Sequence, residues 1–369
     1  MNMNTRLLAQ MRAATRSLMR RGPSVAQSVM RESMKNANVM QSAGQAAQAA
    51  GANAAASAFD PFSDMLADLS RLGTADANPF NAPPVSSGAV GVLGQFIDGR
   101  YTDDIGSRDY KLYVPSTYQG QPSPLIVMLH GCSQNPDDFA AGTGMNGLAE
   151  EWNCLVVYPA QTQQANASRC WNWFNAVDQQ RGQGEPAILA GLTQDIMARY
   201  AIDPARVYVA GLSAGGAMAA ILGTQYPELY AAVGVHSGLP FAAAHDLPSA
   251  MAAMKGDFRR QQAPGRALPI IVFHGDRDTT VHPSNGEELI RHRHRHPQET
   301  VAVEPGRVPN GHAYTRTVHR RPDGGVHAEH WVVHGAGHAW FGGDARGTYT
   351  DGMGPNASRE MLRFFRTVR

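Results

Sequence analysis

The sequence predicts an α/β protein built on a mostly parallel central sheet with helices on both faces. Three observations predict it. Short apolar runs without polar alternation, such as Leu125-Ile126-Val127-Met128, recur through residues 88–369, as strands buried on both faces require. Stretches of helix-forming composition separate those runs, and strands that alternate with helices pack as a parallel sheet between helix layers. One run ends in Gly211-Leu212-Ser213-Ala214-Gly215, a G-x-S-x-G turn with a strand before it and a helix after it.

Taken in order, residues 91–98 and 109–114 read as an opening antiparallel pair. Strands are expected at 124–129, 153–158, 207–210, 231–235, 269–273 and 330–333. Helices are expected at 137–152, 185–200, 214–226, 284–293 and 358–369. In sheets of this kind the chemistry sits beyond the carboxyl ends of the strands.

Residues 1–87 differ in composition and read as a low-complexity, partly helical or disordered extension, with residues 88–369 as the catalytic domain. Arg6, Arg12, Arg16, Arg20, Arg21, Arg31 and Lys35 face a single acid, Glu32, and Leu7, Leu8, Met11, Leu18 and Met19 recur among them at helical spacing. That pattern suits a helix lying on a granule or an anionic surface, or a solvated tail. Residues 41–58 have too little bulk for a core, whereas 59–69 have enough apolar residues to dock one turn of helix. Residues 78–84 read as a linker, which puts the boundary near Ser87.

The 369 residues are enough for one large core with an appendage, and the net charge of +1 exerts no general pull toward nucleic acid. No run of about 18 apolar residues suggests a membrane span. Cys132, Cys154 and Cys170 are too few and odd in number to form a disulfide framework.

A serine hydroxyl needs a base, and the base needs an orienting carboxylate. On this type of sheet they follow in the order Ser, acid, His. Ser213 is the expected nucleophile. His274-Gly275-Asp276-Arg277-Asp278 supplies the acid, with Asp278 preferred and Asp276 read as structural. Gly335-Ala336-Gly337-His338 supplies the base, with His338 preferred over His334. The oxyanion donors are expected to be the N–H groups of Ala214, after the nucleophile, and Cys132, in the loop after the third strand. Trp171, Trp173 and Trp340 either line an ester pocket or pack. The alternating run 291–296 reads as a solvated helix end, since its arginines oppose a metal ion. No cofactor and no metal are called for.

Five segments together resemble the polyhydroxybutyrate (PHB) depolymerase family of esterases: Leu129-His130-Gly131-Cys132-Ser133-Gln134, Cys170-Trp171-Asn172-Trp173-Phe174, Gly211 to Gly216, His274 to Asp278, and Gly337-His338-Ala339-Trp340. The resemblance covers about residues 90–369. It implies an α/β-hydrolase fold and cofactor-free hydrolysis of carboxylic esters, of polyhydroxyalkanoates or of feruloyl or acetyl groups on plant polysaccharides. It also implies an extracellular setting. The sequence departs from the family in showing neither an ordinary signal peptide nor a polymer-binding domain after the catalytic one, so a cytoplasmic enzyme is the alternative. With the resemblance comes a Cys132–Cys170 bridge closing a loop of 38 residues (170 minus 132), worth about 3–4 kcal/mol on the chain-entropy model. Cys154 would stay a buried thiol. Three reduced thiols are the alternative.

The expected function is therefore serine ester hydrolysis of 3-hydroxybutyrate polymers or oligomers through an acyl-enzyme. The alternatives are a feruloyl or acetyl esterase, a serine peptidase, and a non-catalytic hydrolase-fold protein that binds a granule or membrane.

Overall fold

The computed structural model describes residues 94–257, 266–291 and 298–368. The expected extension, its basic helix, the linker, the boundary near Ser87 and residues 292–296 of the basic run lie outside the described residues.

Ten strands form one sheet. They are β1 (Gln95–Thr102), β2 (Ser107–Val114), β3 (Ser123–Leu129), β4 (Leu155–Pro159), β5 (Ile202–Leu212), β6 (Ala232–His236), β7 (Ile270–Gly275), β8 (Thr300–Arg307), β9 (Ala313–Arg320) and β10 (Val326–Val333). Their spatial order is β1-β2-β4-β3-β5-β6-β7-β10-β9-β8. From β4 to β10 every neighbouring pair is parallel. The antiparallel pairs lie at the two edges, β1 and β2 on one side and β9 and β8 on the other. Strand segments such as Leu125–Leu129 and Leu155–Tyr158 have no exposed surface, which is why they show no polar alternation.

The helices are α1 (Pro136–Thr143), α2 (Met145–Trp152), α3 (Gly184–Arg199), α4 (Ala214–Gln225), α5 (Leu247–Met254), α6 (Ser284–Arg291) and α7 (Ala357–Thr367). Helix α4 is buried along its whole face from Ala214 to Gly223, so its sequence is apolar all round. Helix α7 buries one stripe, including Met361, Leu362, Phe364 and Phe365, and Phe365 stacks on Tyr208 of β5 at 4.6 Å. The side chain of Asn356 caps its start by accepting from Arg359 N–H.

Three differences from the sequence expectation have local causes. The helix expected over 137–152 is two helices, because Gly144 adopts φ 61° and ends the first with a left-handed cap. The hairpin of β8 and β9 was not anticipated. Pro305 lies within β8, and proline argues against a strand except at a sheet edge, where β8 sits. Helix α5 was also missed. Its cap is a box in which Asp246 accepts from Ser249 N–H and Ser249 Oγ accepts from Asp246 N–H, with serine where Glu or Gln is the usual signal.

A buried carboxylate joins the late elements. Glu329 of β10 accepts from Arg316 of β9 at 2.8 and 3.1 Å, from Arg363 of α7 at 2.6 Å and from Trp331 Nε1 at 3.1 Å. Burial would raise its carboxyl pKa, but the two guanidiniums hold it below the ordinary value. Removing this charge leaves Arg316 with Glu304 alone and Arg363 with Glu360 alone, both outside the buried centre of the cluster. Glu329→Gln should therefore destabilise the protein by about 1–3 kcal/mol, the cost of losing hydrogen bonds to a charged buried group. Urea unfolding checks this, and a loss below about 0.5 kcal/mol would count against the role given to the carboxylate.

Candidate active site

The site assembles at the carboxyl ends of the parallel strands. At the end of β5 the chain turns sharply into α4, and Ser213 sits in the turn at φ 57° and ψ −120°. A non-glycine residue there is strained, and such strain is held only by surroundings that over-determine it. The neighbours do so by crowding. A Cβ on Gly215 would lie 2.1 Å from Leu129 O, and one on Gly211 would lie 2.4 Å from Gly215 C. Both positions therefore require glycine. Ser213 N–H donates to His236 O at 2.9 Å, and Ser213 O accepts from Ala217 N–H at 2.9 Å.

The acids after β7 go to different histidines. Asp278 is 4% exposed and accepts from His338 Nδ1 at 2.7 Å through Oδ2. Its Oδ1 accepts from Thr280 and Val281 N–H at 2.9 and 2.8 Å. Burial would raise its pKa, yet the charge of His338 and hydrogen bonds from His274 and His338 hold it far below the carboxylate range. An ionised carboxylate only accepts, so Nδ1 of His338 carries a proton and donates it to Asp278. Asp276 instead takes His334 Nδ1 at 2.9 Å and Gly335 N–H at 2.7 Å, and His334 Nε2 meets Thr315 Oγ1 at 2.9 Å. This second pair is at the surface and ties the loop that carries His338 to the loop that carries Asp278.

Two further histidines stand behind the site. His236 is fully buried. Its Nε2 accepts from Phe341 N–H at 3.0 Å, and its ring stacks on Trp340 with centroids 5.0 Å apart. Burial first, and then His274 and His338, push its pKa well below the ordinary value, so it is neutral. His274 lies under Asp278, with Nε2 3.4 Å from Oδ2 and 2.8 Å from Val281 O. From the sequence alone neither residue is assigned a role. Their signal was a histidine at the last or next-to-last position of an apolar run.

The loop after β3 carries the expected oxyanion donor. Gly131 N–H donates to Gln134 Oε1 at 2.9 Å and Ser133 N–H to Ser168 O at 2.7 Å. Between them, Cys132 N–H meets no protein acceptor among the described residues, and neither does Ala214 N–H at the start of α4. Cys132 and Cys170 are joined by a disulfide, with Cα atoms 4.2 Å apart. Cys154 is a buried free thiol whose pKa burial pushes up to about 12.

The tryptophans are buried, which fits packing, one of the two readings that the sequence leaves open. Trp171, Trp173 and Trp340 are 0%, 4% and 1% exposed. Side chains so covered offer almost no surface to a ligand. Trp171 Nε1 donates to His130 O at 3.1 Å, and Trp340 Nε1 donates to Ser358 Oγ at 3.0 Å. Both hold loops in place. Among the described residues, no group of three or more His, Cys, Asp or Glu could hold a metal ion. No helix among them is long and apolar enough to cross a membrane.

Residues 108–297 match the family model described as Esterase PHB depolymerase, which is just over half of the 369-residue chain. The chain belongs to the PHB depolymerase family of esterases. It is similar to poly(3-hydroxyalkanoate) depolymerase C of Paucimonas lemoignei, 34% identical over 221 residues, or 56% of this chain and 52% of that protein. It is also similar to feruloyl esterase B of Thermothelomyces thermophilus, 30% identical over 199 residues, or 49% of this chain and 67% of that protein. The chain thus spans about half the length of the depolymerase it matches. Among solved structures, the acetyl xylan esterase from Aspergillus awamori superposes with a TM-score of 0.54 at 19% identity, over 71% of this chain and 94% of that one. At that identity the likeness shows the α/β-hydrolase fold.

The buried imidazoles carry a linkage consequence. Burial pushes His130 down to about 4 and His330 down to about 3. The unfolded chain therefore binds more protons than the folded one between those values and about 6.5, the free histidine value. The stability associated with them is fully present above about pH 6.5 and is lost as pH falls toward 4. Tm should drop over that interval, and His330→Gln should shrink the drop. Thermal scans from pH 7 to 4.5 check this, and an unchanged slope in the variant would contradict it.

Proposed function

We propose that the protein is a serine carboxylic ester hydrolase that acts on 3-hydroxyalkanoate polymers or oligomers. The observation that carries this reading is the 2.7 Å pair of Asp278 with His338, with Asp278 just past β7, the strand next but one to β5, which leads into the strained Ser213 turn. In the proposed mechanism Ser213 Oγ adds to the ester carbonyl carbon while His338 Nε2 takes its proton. Asp278 balances the charge on the imidazolium. The N–H groups of Cys132 and Ala214 receive the oxyanion, and one such donor is worth about 3 kcal/mol. His338 returns the proton to the departing alkoxide oxygen as the C–O bond breaks. A water molecule that gives its proton to His338 then adds to the acyl group on Ser213. Collapse releases the carboxylic acid and restores the hydroxyl.

Membership of the family supports hydroxyalkanoate esters. The similarity to a feruloyl esterase favours a second reading, aromatic acyl esters of plant polysaccharides. We assign catalysis to residues 88–369 and surface contact to the basic segment in residues 1–87. Comparing kcat/KM on 3-hydroxybutyrate oligomers, amorphous polymer and methyl ferulate decides between the acyl classes. A clear preference for methyl ferulate would replace the first reading with the second.

Two predictions test the roles. Ser213→Ala should lower turnover by about 10⁴ or more with the fold intact. Asp278→Asn should also cost about 10⁴, because it leaves the imidazole in the wrong tautomer, whereas Asp276→Asn should cost far less. The reverse ranking of the two acids would move the triad to Asp276 and His334.

The disulfide favours an oxidising compartment, in keeping with an extracellular enzyme. Thiol titration of denatured protein without reductant should find one thiol, Cys154. Three thiols would favour the cytoplasm instead.

A further inference from the structure

The oxyanion loop is gripped from one side by the segment that follows β4. Gln161 N–H donates to His130 Nε2 at 3.1 Å, Trp171 Nε1 donates to His130 O at 3.1 Å, and Ser168 O accepts Ser133 N–H at 2.7 Å. The Cys132–Cys170 bridge adds a covalent link. Because Nε2 of His130 accepts, its proton is on Nδ1, which donates to Gly131 O at 2.7 Å. That carbonyl belongs to the same peptide group as Cys132 N–H, so the grip on His130 fixes the plane of the proposed donor.

The gripping segment is itself fastened to one buried carboxylate. Glu185, the second residue of α3, has a side chain only 5% exposed. Its Oε2 accepts from Asn172 N–H at 2.7 Å, next to Trp171. Its Oε1 accepts from Asn172 Nδ2 at 3.0 Å, from Arg108 Nη2 at 3.1 Å and from Gln161 Nε2. Gln161 Nε2 also donates to Cys170 O at 2.9 Å, beside the disulfide. Thus both ends of the segment, at Gln161 and at Asn172, are tied to the same carboxylate. Such charge-assisted bonds inside a protein are strong, and a carboxylate is the one side chain that accepts from this many donors at once.

We propose that Glu185 is a positioning residue for the oxyanion donor, acting through the segment 161–172 in parallel with the disulfide. The inference rests on the proposed ester hydrolysis. It predicts a specific pattern, since two clamps on one loop compensate for each other. Losing either loosens the donor only in part, and losing both lets it wander. An oxyanion donor acts only on the transition state, so the loss falls on kcat and not on KM.

The test uses the full chain with wild-type and Glu185→Gln proteins, each oxidised or reduced with dithiothreitol, on p-nitrophenyl butyrate. Reduction of the wild type should lower kcat by less than about fivefold. Glu185→Gln should lower it by about tenfold when oxidised. When the variant is reduced, the loss should approach the about 10²–10³ seen for removal of a whole donor, with KM within about threefold throughout. The combined loss should exceed the product of the separate losses. Simple multiplication, a rise in KM at constant kcat, or a fall in Tm alone would overturn the proposal. If Glu185→Gln does not fold, Asn172→Ala cuts the ties made by that side chain while keeping the buried carboxylate and Arg108, and it must show the same excess loss on reduction. Amide hydrogen exchange of residues 130–134 gives a readout independent of turnover, and it should rise in the variant. A wild-type protein that cleaves no ester overturns the proposed function, while the exchange measurement still judges the clamp.

Discussion

Everything at the site depends on how closely the end of β5 and the start of α4 approach the end of β3. The Leu129 carbonyl lies where a side chain on Gly215 would be, and Gly215 lies where one on Gly211 would be. This contact brings the two proposed oxyanion donors, Cys132 N–H and Ala214 N–H, to neighbouring backbones. It also forces Ser213 into a conformation that costs on the order of 1–3 kcal/mol. Helix α4 is buried on all sides, so its packing against the sheet opposes relaxation of the turn. The strain at Ser213 and the burial of α4 are thus two sides of one arrangement.

Burial also organises the charges. His236 and His130 are kept neutral by desolvation, so they act as fixed dipoles behind the serine and behind the oxyanion loop. Asp278 is kept ionised against the same desolvation by His338 and His274. In the proposed reaction the imidazole of His338 is then where positive charge develops, next to a carboxylate already fixed by two backbone N–H groups. The surface pair of Asp276 and His334 lies one turn away in a wetter setting, where the same residue types hold loops together.

The elements that the sequence showed clearly are those whose local pattern and tertiary role agree. The runs at β3 to β7 are apolar because both faces are covered, and G-x-S-x-G with its flanking strand and helix forms the sharp turn at Ser213. The Asp278 reading followed from its place beyond β7, and the structure brings that residue to His338. What the sequence leaves open or unmarked depends on properties that composition does not carry. An indole in a motif reads the same whether it faces a cleft or a core, and Trp171 and Trp340 face the core. Glu185 falls at the start of the helix expected over 185–200 and nothing else in the sequence marks it, because the groups that surround it, Arg108, Gln161 and Asn172, are distant in sequence. The β8–β9 hairpin is an edge addition with a proline in it, so its strand signal was masked by a residue that only an edge tolerates.

The proposed oxyanion loop needs outside support for a physical reason. A backbone donor is effective only while its N–H is unpaired within the protein, so the peptide that carries it cannot be held by its own hydrogen bond. It must be fixed through its neighbours. Here every neighbour of Cys132 N–H is bonded: Gly131 N–H to Gln134, Gly131 O to His130, Ser133 N–H to Ser168, and the Cys132 side chain to Cys170. Most of these ties lead to the segment after β4, and that segment leads to Glu185. A buried carboxylate with several donors suits the end of such a chain of contacts, because its bonds strengthen as water is excluded. The free donor at Cys132 and the fully occupied acceptor at Glu185 are consequences of the same requirement.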